Sequence, residues 1–357
     1  MNKRILSGLT VAALCGTYSA YAVSQGAATS TSATKMTADA QTTRVVGAAN
    51  AFLGTLTAAQ KKAVSFAYTD SAQRARWSNF PTGIFQRAGV RYGDLSAAQR
   101  TALMNLLGTV LSPDGLTMVK QQMNADDVLK NTDGGGGGRL IFGSDEYYVS
   151  FLGTPSTTSP WTLQFGGHHL AINATVVGPN ITLAPSLTGG QPIRATQNGK
   201  TVVVVQKVPQ EVKDAYALLS SLNTTQRARA VVSTQRIDLV LGPGQDGKTL
   251  QPEGLPGSAM TAAQKAQLLT LIKDRLGILN ADDAAPKLAA VQKNLDQTYF
   301  AWYGPTTAEG AANAYYRVTG PTVLIEFSPQ SMGGDPSNHL HNMYREPGND
   351  YGAALTK

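Results

Sequence analysis

The four histidines of this 357-residue chain fall in two short clusters, His168 with His169 and His339 with His341. Imidazole titrates near neutral pH and offers a nitrogen lone pair to metals, so this concentration points to one site built from two distant segments. Three imidazoles around an open coordination position form a catalytic environment for a divalent metal ion, zinc first, with copper or iron as alternatives. Residues two apart in an extended chain share a face, which lets His339 and His341 point together. Adjacent His168 and His169 must diverge unless Gly166-Gly167 introduces a bulge. Three convergent histidines are therefore expected, and four only with a local kink. His168 keeps phase with Leu170 and Ile172, His169 with Ala171 and Asn173, and the pattern leaves open which of the two faces inward.

Three further residues are candidates for catalytic work beside the metal. Glu326 lies in a strand-like stretch upstream of the second cluster, where it could act as base or ligand; by alternation it faces away from Val323, Ile325 and Phe327, as a solvent-facing strand residue also would. Arg345, four residues beyond His341, could hold an anionic substrate group, or could pair with Asp350 or Glu346 to fix a C-terminal turn. Tyr344 could donate a proton or a hydrogen bond. Asp145 and Glu146 are weaker candidates because loop carboxylates are usually solvated. Gln164 and Asn173 flank the first cluster and could fix imidazole tautomers, or be ordinary strand amides.

Composition removes other chemistries. Cys15 is the only cysteine, and it lies in a stretch that reads as an export signal: Lys3 and Arg4, an apolar run from Ile5 to Cys15, then Ala20-Tyr21-Ala22. Cleavage after Ala22 leaves no cysteine, which excludes thiolate catalysis, thiolate zinc sites and disulfides. Leu14 before Cys15 argues against lipidation, and the apolar run is well short of the ~20 residues of a bilayer span, so an exported periplasmic or extracellular protein without stable membrane insertion is expected. Losing Lys3 and Arg4 lowers the formal charge from +7 to +5. That balance is mildly basic, but no run of Lys and Arg appears, so nucleic acid is not an expected partner and a small-molecule substrate or ligand is. Gly134–Gly138 is followed by no Gly-Lys-Ser/Thr and reads as a flexible connector. Gly242–Gly247 lacks the alternating acids of a calcium loop and reads as a turn. No Gly-x-Ser-x-Gly elbow is present.

The elements that must position the histidines announce themselves by their starts. Leu56-Thr57-Ala58-Ala59-Gln60, Leu95-Ser96-Ala97-Ala98-Gln99, Leu222-Asn223-Thr224-Thr225-Gln226 and Met260-Thr261-Ala262-Ala263-Gln264 each place a capping residue three positions before Gln, the mark of a helix N-terminus. The first and third lie 166 residues apart, the second and fourth 165, and flanking apolar positions repeat with them. Two nearly equal offsets in the same order point to a duplicated unit. Strand-like stretches follow the helices, Tyr147–Gly153 and Trp161–Asn173 in one half, Tyr299–Gly304, Tyr315–Val318 and Thr322–Phe327 in the other. The expectation is an α+β fold of two pseudo-repeats, about 44–175 and 210–345, each of helical hairpins followed by antiparallel strands, packed as one unit. A histidine cluster would close each half, at the interface where the two sheets meet. Residues 23–43, rich in Ser, Thr, Ala and Gln, read as a disordered leader.

Taken together, Trp77-Ser78-Asn79-Phe80-Pro81, Gly167-His168-His169-Leu170 with Asn173, Tyr299–Gly304 with Trp302, Gly320-Pro321 with Glu326-Phe327, and His339-Leu340-His341 followed by Tyr344-Arg345-Glu346-Pro347 and Asn349-Asp350-Tyr351-Gly352 resemble the domain-of-unknown-function 3500 (DUF3500) family. The resemblance runs from about Arg44 onward and implies a shared fold, and often export, but carries no activity with it. Glu346 stands where the family pattern has Asp, a conservative departure. The residues themselves support a metal-dependent hydrolase acting on a small anionic or polar substrate. A copper or iron oxidoreductase is a second reading, and a non-catalytic metal or ligand binder, using an aromatic cleft around Trp77, Trp161 and Trp302, is a third. Neutral, hydrogen-bonded core histidines are the plain structural alternative.

Overall fold

The computed structural model describes residues 36–132, 139–332 and 334–356. The signal read in residues 1–22, the leader up to residue 35 and the connector Gly134–Gly138 lie outside the described residues. The end of the expected leader is corrected. Asp39 caps a helix by accepting the Thr42 N–H, and that helix begins at Ala40 with Gln41 and Thr42 already buried. Its polar residues are short enough to sit under a neighbouring helix, so composition alone misreads them; the Gln41 side chain donates to the Thr109 carbonyl.

In chain order the first half holds α1 (Ala40–Thr55), α2 (Ala58–Val64), β1 (Ser65–Phe66), α3 (Ser71–Arg74), β2 (Val90–Arg91), α4 (Ala97–Val110), α5 (Pro113–Thr132), β3 (Tyr148–Leu152), β4 (Trp161–Gly167), β5 (Leu170–Val177), β6 (Asn180–Thr182) and β7 (Ser186–Gly190). A small ribbon, β8 (Arg194–Gln197) and β9 (Lys200–Val203), leads into the second half. There follow α6 (Lys207–Ser221), α7 (Thr224–Ala230), β10 (Val231–Ser233), β11 (Leu255–Pro256), α8 (Ala262–Leu276), α9 (Ala281–Lys293), β12 (Tyr299–Tyr303), β13 (Tyr315–Thr319), β14 (Leu324–Pro329) and β15 (Leu340–Arg345). Among the described residues no helix is long and apolar enough to cross a membrane.

All four expected caps form as reciprocal boxes, at Thr57, Ser96, Asn223 and Thr261. They also meet in pairs. Gln60 and Gln99 hydrogen-bond to each other, and Gln99 reaches the Thr55 carbonyl. Gln226 and Gln264 do the same, with Gln264 reaching the Ser221 carbonyl. Each pair joins the starts of two helices through groups that would otherwise be unpaired backbone donors and acceptors.

Thirteen of the described strands form one mixed sheet, ordered β1-β3-β4-β5-β7-β15-β14-β13-β12-β10, with β2 on β3, β11 on β12 and β6 on β5. The sheet reads alike from either edge. A short strand lies parallel to the first long one, β1 on β3 and β10 on β12, and a second short strand lies antiparallel to it, β2 on β3 and β11 on β12. The antiparallel pair β7 and β15 joins the halves at the centre. Two expectations change here. The halves share one continuous sheet rather than presenting two sheets to each other, and the first half's strands run to Gly190, past the expected end near 175. One face of the sheet lies under the helices. There Val149, Phe151, Leu163 and Ile172 pack with Phe52, Leu103 and Leu107 in the first half, and Phe300, Trp302, Ile325 and Phe327 with Leu218, Leu271 and Ile272 in the second. The other face lies under loops, with Trp77 against Ala171, Leu187 and Met343, and Ile237 against Ala301, Tyr303 and Tyr315.

Candidate metal centre at the first hairpin turn

The stretch expected as one strand, Trp161–Asn173, is a hairpin. β4 and β5 pair without a bulge to Gly167↔Leu170, and His168-His169 form the two-residue turn between them. A Cβ on Gly167 would strike the Tyr147 ring, and one on Gly166 would fall 2.4 Å from the Leu170 carbonyl oxygen, so the glycines allow close approach rather than a bulge. The kink is at His169 itself, whose φ of 59° is left-handed. That region is costly for a side-chain-bearing residue, and such strain clusters at functional sites. It brings both imidazoles to one side, their ring centroids 3.7 Å apart. The question of which histidine faces the site therefore resolves as both.

His339 immediately precedes β15 and His341 lies within it. The His169 and His339 Nε2 atoms approach to 2.8 Å, and the His339 Nδ1–H donates to the Met332 carbonyl at 2.7 Å. With that proton committed, His339 Nε2 carries a lone pair, and His169 Nε2 must donate to it or share a cation with it. In the first case His169 Nδ1 is a buried acceptor, and it has no partner. The His341 Nε2 lies 3.4 Å from the Asn79 amide nitrogen. Gly189 floors the cluster: its Cα leaves room for the His169 and His341 rings, both 3.4 Å from where a Cβ would stand. His169, His339 and His341 each offer one ligand atom, all within 4.8 Å of one another, and so do Asp126, His168 and His169. These buried groups could hold a metal ion.

Burial is the largest influence on protonation here. It pushes His169 and His341 well below the usual value of 6.5, helped by the neighbouring imidazoles. It brings His339 to about 4, against the opposing bond to Met332. Neutral imidazoles are the form that ligates metals. The His168 Nδ1 meets Asp126 Oδ1 at 2.7 Å, while Asp126 Oδ2 has no hydrogen-bond partner. A carboxylate holding one ring nitrogen fixes the orientation of the ring.

Sequence reasoning missed four of these contributors. Asp126 sits mid-helix in α5 and nothing nearby in sequence marks it. Asn79 also holds the turn, its carbonyl accepting the His169 backbone N–H. Arg87 Nη2 donates to the carbonyls of Ser78, Phe80 and Gly167, tying the Asn79 segment to the turn. Gly189 carried a weak signal, the Gly189-Gly190 pair.

The expected catalytic trio is not brought to the histidines. Glu326 does face away from Ile325 and Phe327, but a loop covers it: its carboxylate accepts the Val240 and Leu241 backbone N–H groups and the Tyr315 hydroxyl. Buried acceptors filled this way hold a loop in place. The Arg345 guanidinium binds Asp246 and Asp350 and the carbonyls of Leu241 and Gly242, which leaves no fork for a substrate anion. Tyr344 points to the helix side, donating to Glu346 with Arg275 over its ring. Asp145 and Glu146 pair with Arg100 and Arg91. Gln164 and Asn173 bind each other, with Gln73 bonded to Gln164, and neither touches an imidazole. The three tryptophans are buried, and Trp77 lines a small cleft with Tyr148 and Phe165 rather than the one at the histidines.

The four histidines line the inner end of an open cleft of about 1190 Å³, counted with its mouth, walled by Phe80, Ile84, Phe142, Leu239 and Met332 among others. Comparison with curated proteins and with solved structures finds no match for this chain. The family model described as "Protein of unknown function (DUF3500)" matches residues 38–353, and the chain belongs to that family.

Proposed function

We propose that the cluster is a catalytic metal centre and the protein a metal-dependent hydrolase. Three donor atoms within 4.8 Å, at the inner end of an open cleft, carry this reading. The unpartnered His169 Nδ1 and Asp126 Oδ2 support it, since buried polar atoms without partners are exceptional. His169, His339 and His341 would hold the ion, with zinc the best fit to neutral nitrogen ligands and copper or iron, with redox chemistry, the alternative. A bound zinc supplies a water acidified to about pKa 7 and polarises a carbonyl. His168, steadied by Asp126, would take up a proton at its Nε2 and pass it to the leaving group. Asn79 positions His341. A binder without turnover would need a filled coordination sphere, and the cleft leaves one side of the cluster open.

The reading also takes the chain as exported, with residues 1–22 removed, on the strength of the Lys3-Arg4, apolar and Ala20-Tyr21-Ala22 pattern. It takes the two halves as products of duplication, for which the matched cap pairs and sheet edges speak.

Elemental analysis of protein purified without an affinity tag tests the proposal. About one zinc per chain is expected. Asp126→Asn should retain the metal and slow ester or amide turnover by roughly 10–100-fold, the usual cost of losing such a partner. A folded protein that neither carries nor takes up metal would overturn it.

A further inference from the structure

The cleft restricts what can reach the histidines. Among the described residues its lining holds no Lys or Arg; its polar members other than the histidines are Asn79, Gln191, Gln245 and Gln330, all neutral, and Asp238. Asp238 accepts from Ser328 and Gln330, which keeps its acceptor oxygen facing polar donors. Of the guanidinium groups around it, Arg345 is spent on two carboxylates and two carbonyls and Arg87 on three carbonyls, and Arg236 donates to Ser331. Away from the histidines, an anionic group in this cleft would lose hydration and meet neutral amides and a carboxylate.

The mouth is apolar where water should be. Phe80 is 48 % exposed, Ile84 59 % and Met332 75 %, and they continue inward to buried Phe142, whose ring lies 5.1 Å from that of His168. Large apolar side chains grouped at the rim of a polar site mark a ligand-binding groove.

We infer that the substrate is an uncharged carboxylic ester or amide carrying an extended apolar group. This inference rests on the hydrolase reading and deepens it. The apolar group lies along Phe80, Ile84, Met332 and Phe142, and the carbonyl reaches the histidines. Water adds to the carbonyl carbon, the bond from that carbon to the leaving oxygen or nitrogen breaks, and the proton taken by His168 passes to the departing atom. The products are a carboxylic acid and an alcohol or amine. Away from the metal position the same lining disfavours a second charge on the acyl group.

The test measures turnover of p-nitrophenyl butyrate, p-nitrophenyl octanoate and the p-nitrophenyl monoester of octanedioic acid by the zinc-loaded protein, and calorimetric binding of octanamide and of 7-carboxyheptanamide. Octanoate should exceed both other esters in kcat/KM by at least ~10-fold, since each well-buried methylene is worth roughly a factor of four. Ile84→Lys, at an exposed rim position, should narrow the preference for octanoate over the charged monoester by about 10-fold, as a cation is supplied where none exists. Equal or faster use of the charged monoester, or no dependence on chain length, overturns the inference. Octanamide bound at least ~10-fold more tightly than 7-carboxyheptanamide, without turnover of any ester, upholds the cleft's preference while the hydrolase reading fails. Absence of both binding and turnover overturns both.

Discussion

The sheet has two hairpin turns that occupy matching places, and among the described residues only the first gathers side chains that could hold a metal ion. In the first half, Gly167 and Leu170 close the turn over His168-His169. In the second, the Gly320 N–H bonds the Val323 carbonyl over Pro321-Thr322. Each turn borders a cleft and is met by the helix that comes before that half's first long strand: α5 reaches His168 through Asp126, and α9 walls the cleft beside Thr322. The second cleft, about 920 Å³ with its mouth, has charges, but they are answered. Glu346 accepts from Lys287, Thr182, Tyr344 and Asn349, and Asp283 accepts the Ile181 backbone N–H. At the first turn His169 Nδ1 and Asp126 Oδ2, both on groups that can ligate a cation, are left without partners, whereas at the second the unpartnered atom is the Thr322 hydroxyl oxygen. The same scaffold answers its ionisable groups at one end and leaves two ionisable-group atoms available at the other, and availability is what a ligand needs.

The sharpest way to break this comparison is to truncate one group at each turn. His169→Ala should lower metal affinity by three orders of magnitude or more, since loss of one of three protein ligands removes a large share of a binding energy of about 10–16 kcal/mol. Glu346→Ala should leave metal affinity unchanged and destabilise the fold by about 2 kcal/mol, because it strands a half-buried ammonium and a buried hydroxyl. Zinc titration with a competing chelator and urea denaturation, run on both variants, separate the two. Loss of metal in Glu346→Ala, or its retention in His169→Ala, would dissolve the distinction between the turns.

How much of this was legible follows the range of the interactions. The caps were readable because Thr57 and Gln60, or Asn223 and Gln226, meet within one helical turn. The histidines were readable as a composition, and the alternation that turned Glu326 away from Ile325 was correct. What alternation could not supply was the cover over Glu326: Val240 and Leu241 reach it from 85 or more residues away. Arg345 failed as an anion holder for the same reason, because Asp246 and the Leu241 carbonyl are distant in sequence. The turn at His168-His169 was hidden because a residue at positive φ leaves no composition signal unless it is Gly or Asn. Asp126 was hidden because a helix-interior acid looks alike whether it meets water or an imidazole.

Beneath the central strands lies a group that tests whether buried charge alone makes a site. Glu211, 1 % exposed, contacts the Asn342 amide on the helix side of β15. Burial pushes its carboxyl up to about 8, with Arg275 opposing. Its folded pKa lies above the unfolded value of 4.5, so the folded state holds the extra proton between those values. Stability from this group is full below about pH 4.5 and is lost as pH rises through 8. Glu211→Gln should therefore become more stable relative to the parent chain by a few kcal/mol between pH 5 and pH 9, with metal affinity unmoved. Urea denaturation at the two pH values reads the difference. A flat difference would show that Glu211 is ionised in the fold, and a change in metal affinity would tie it to the histidines on the opposite face.

The smallest expected effect asks how alike the two halves are where neither does chemistry. Gln99 caps its own helix and bonds Thr55 and Gln60; Gln264 caps its own and bonds Ser221 and Gln226. Both are buried, so each Gln→Ala change removes the same set of bonds and strands the same kinds of group. Each should cost about 1–2 kcal/mol in denaturant unfolding, and the two costs should agree within ~0.5 kcal/mol and add in the double variant, because the pairs share no partner. Within one half the outcome reverses: Gln60→Ala and Gln99→Ala touch each other, so their combined cost should fall short of the sum by ~0.5 kcal/mol or more. Unequal costs between halves would mean that the resemblance of their caps stops at geometry, and that the difference between the two turns extends into the helices that support them.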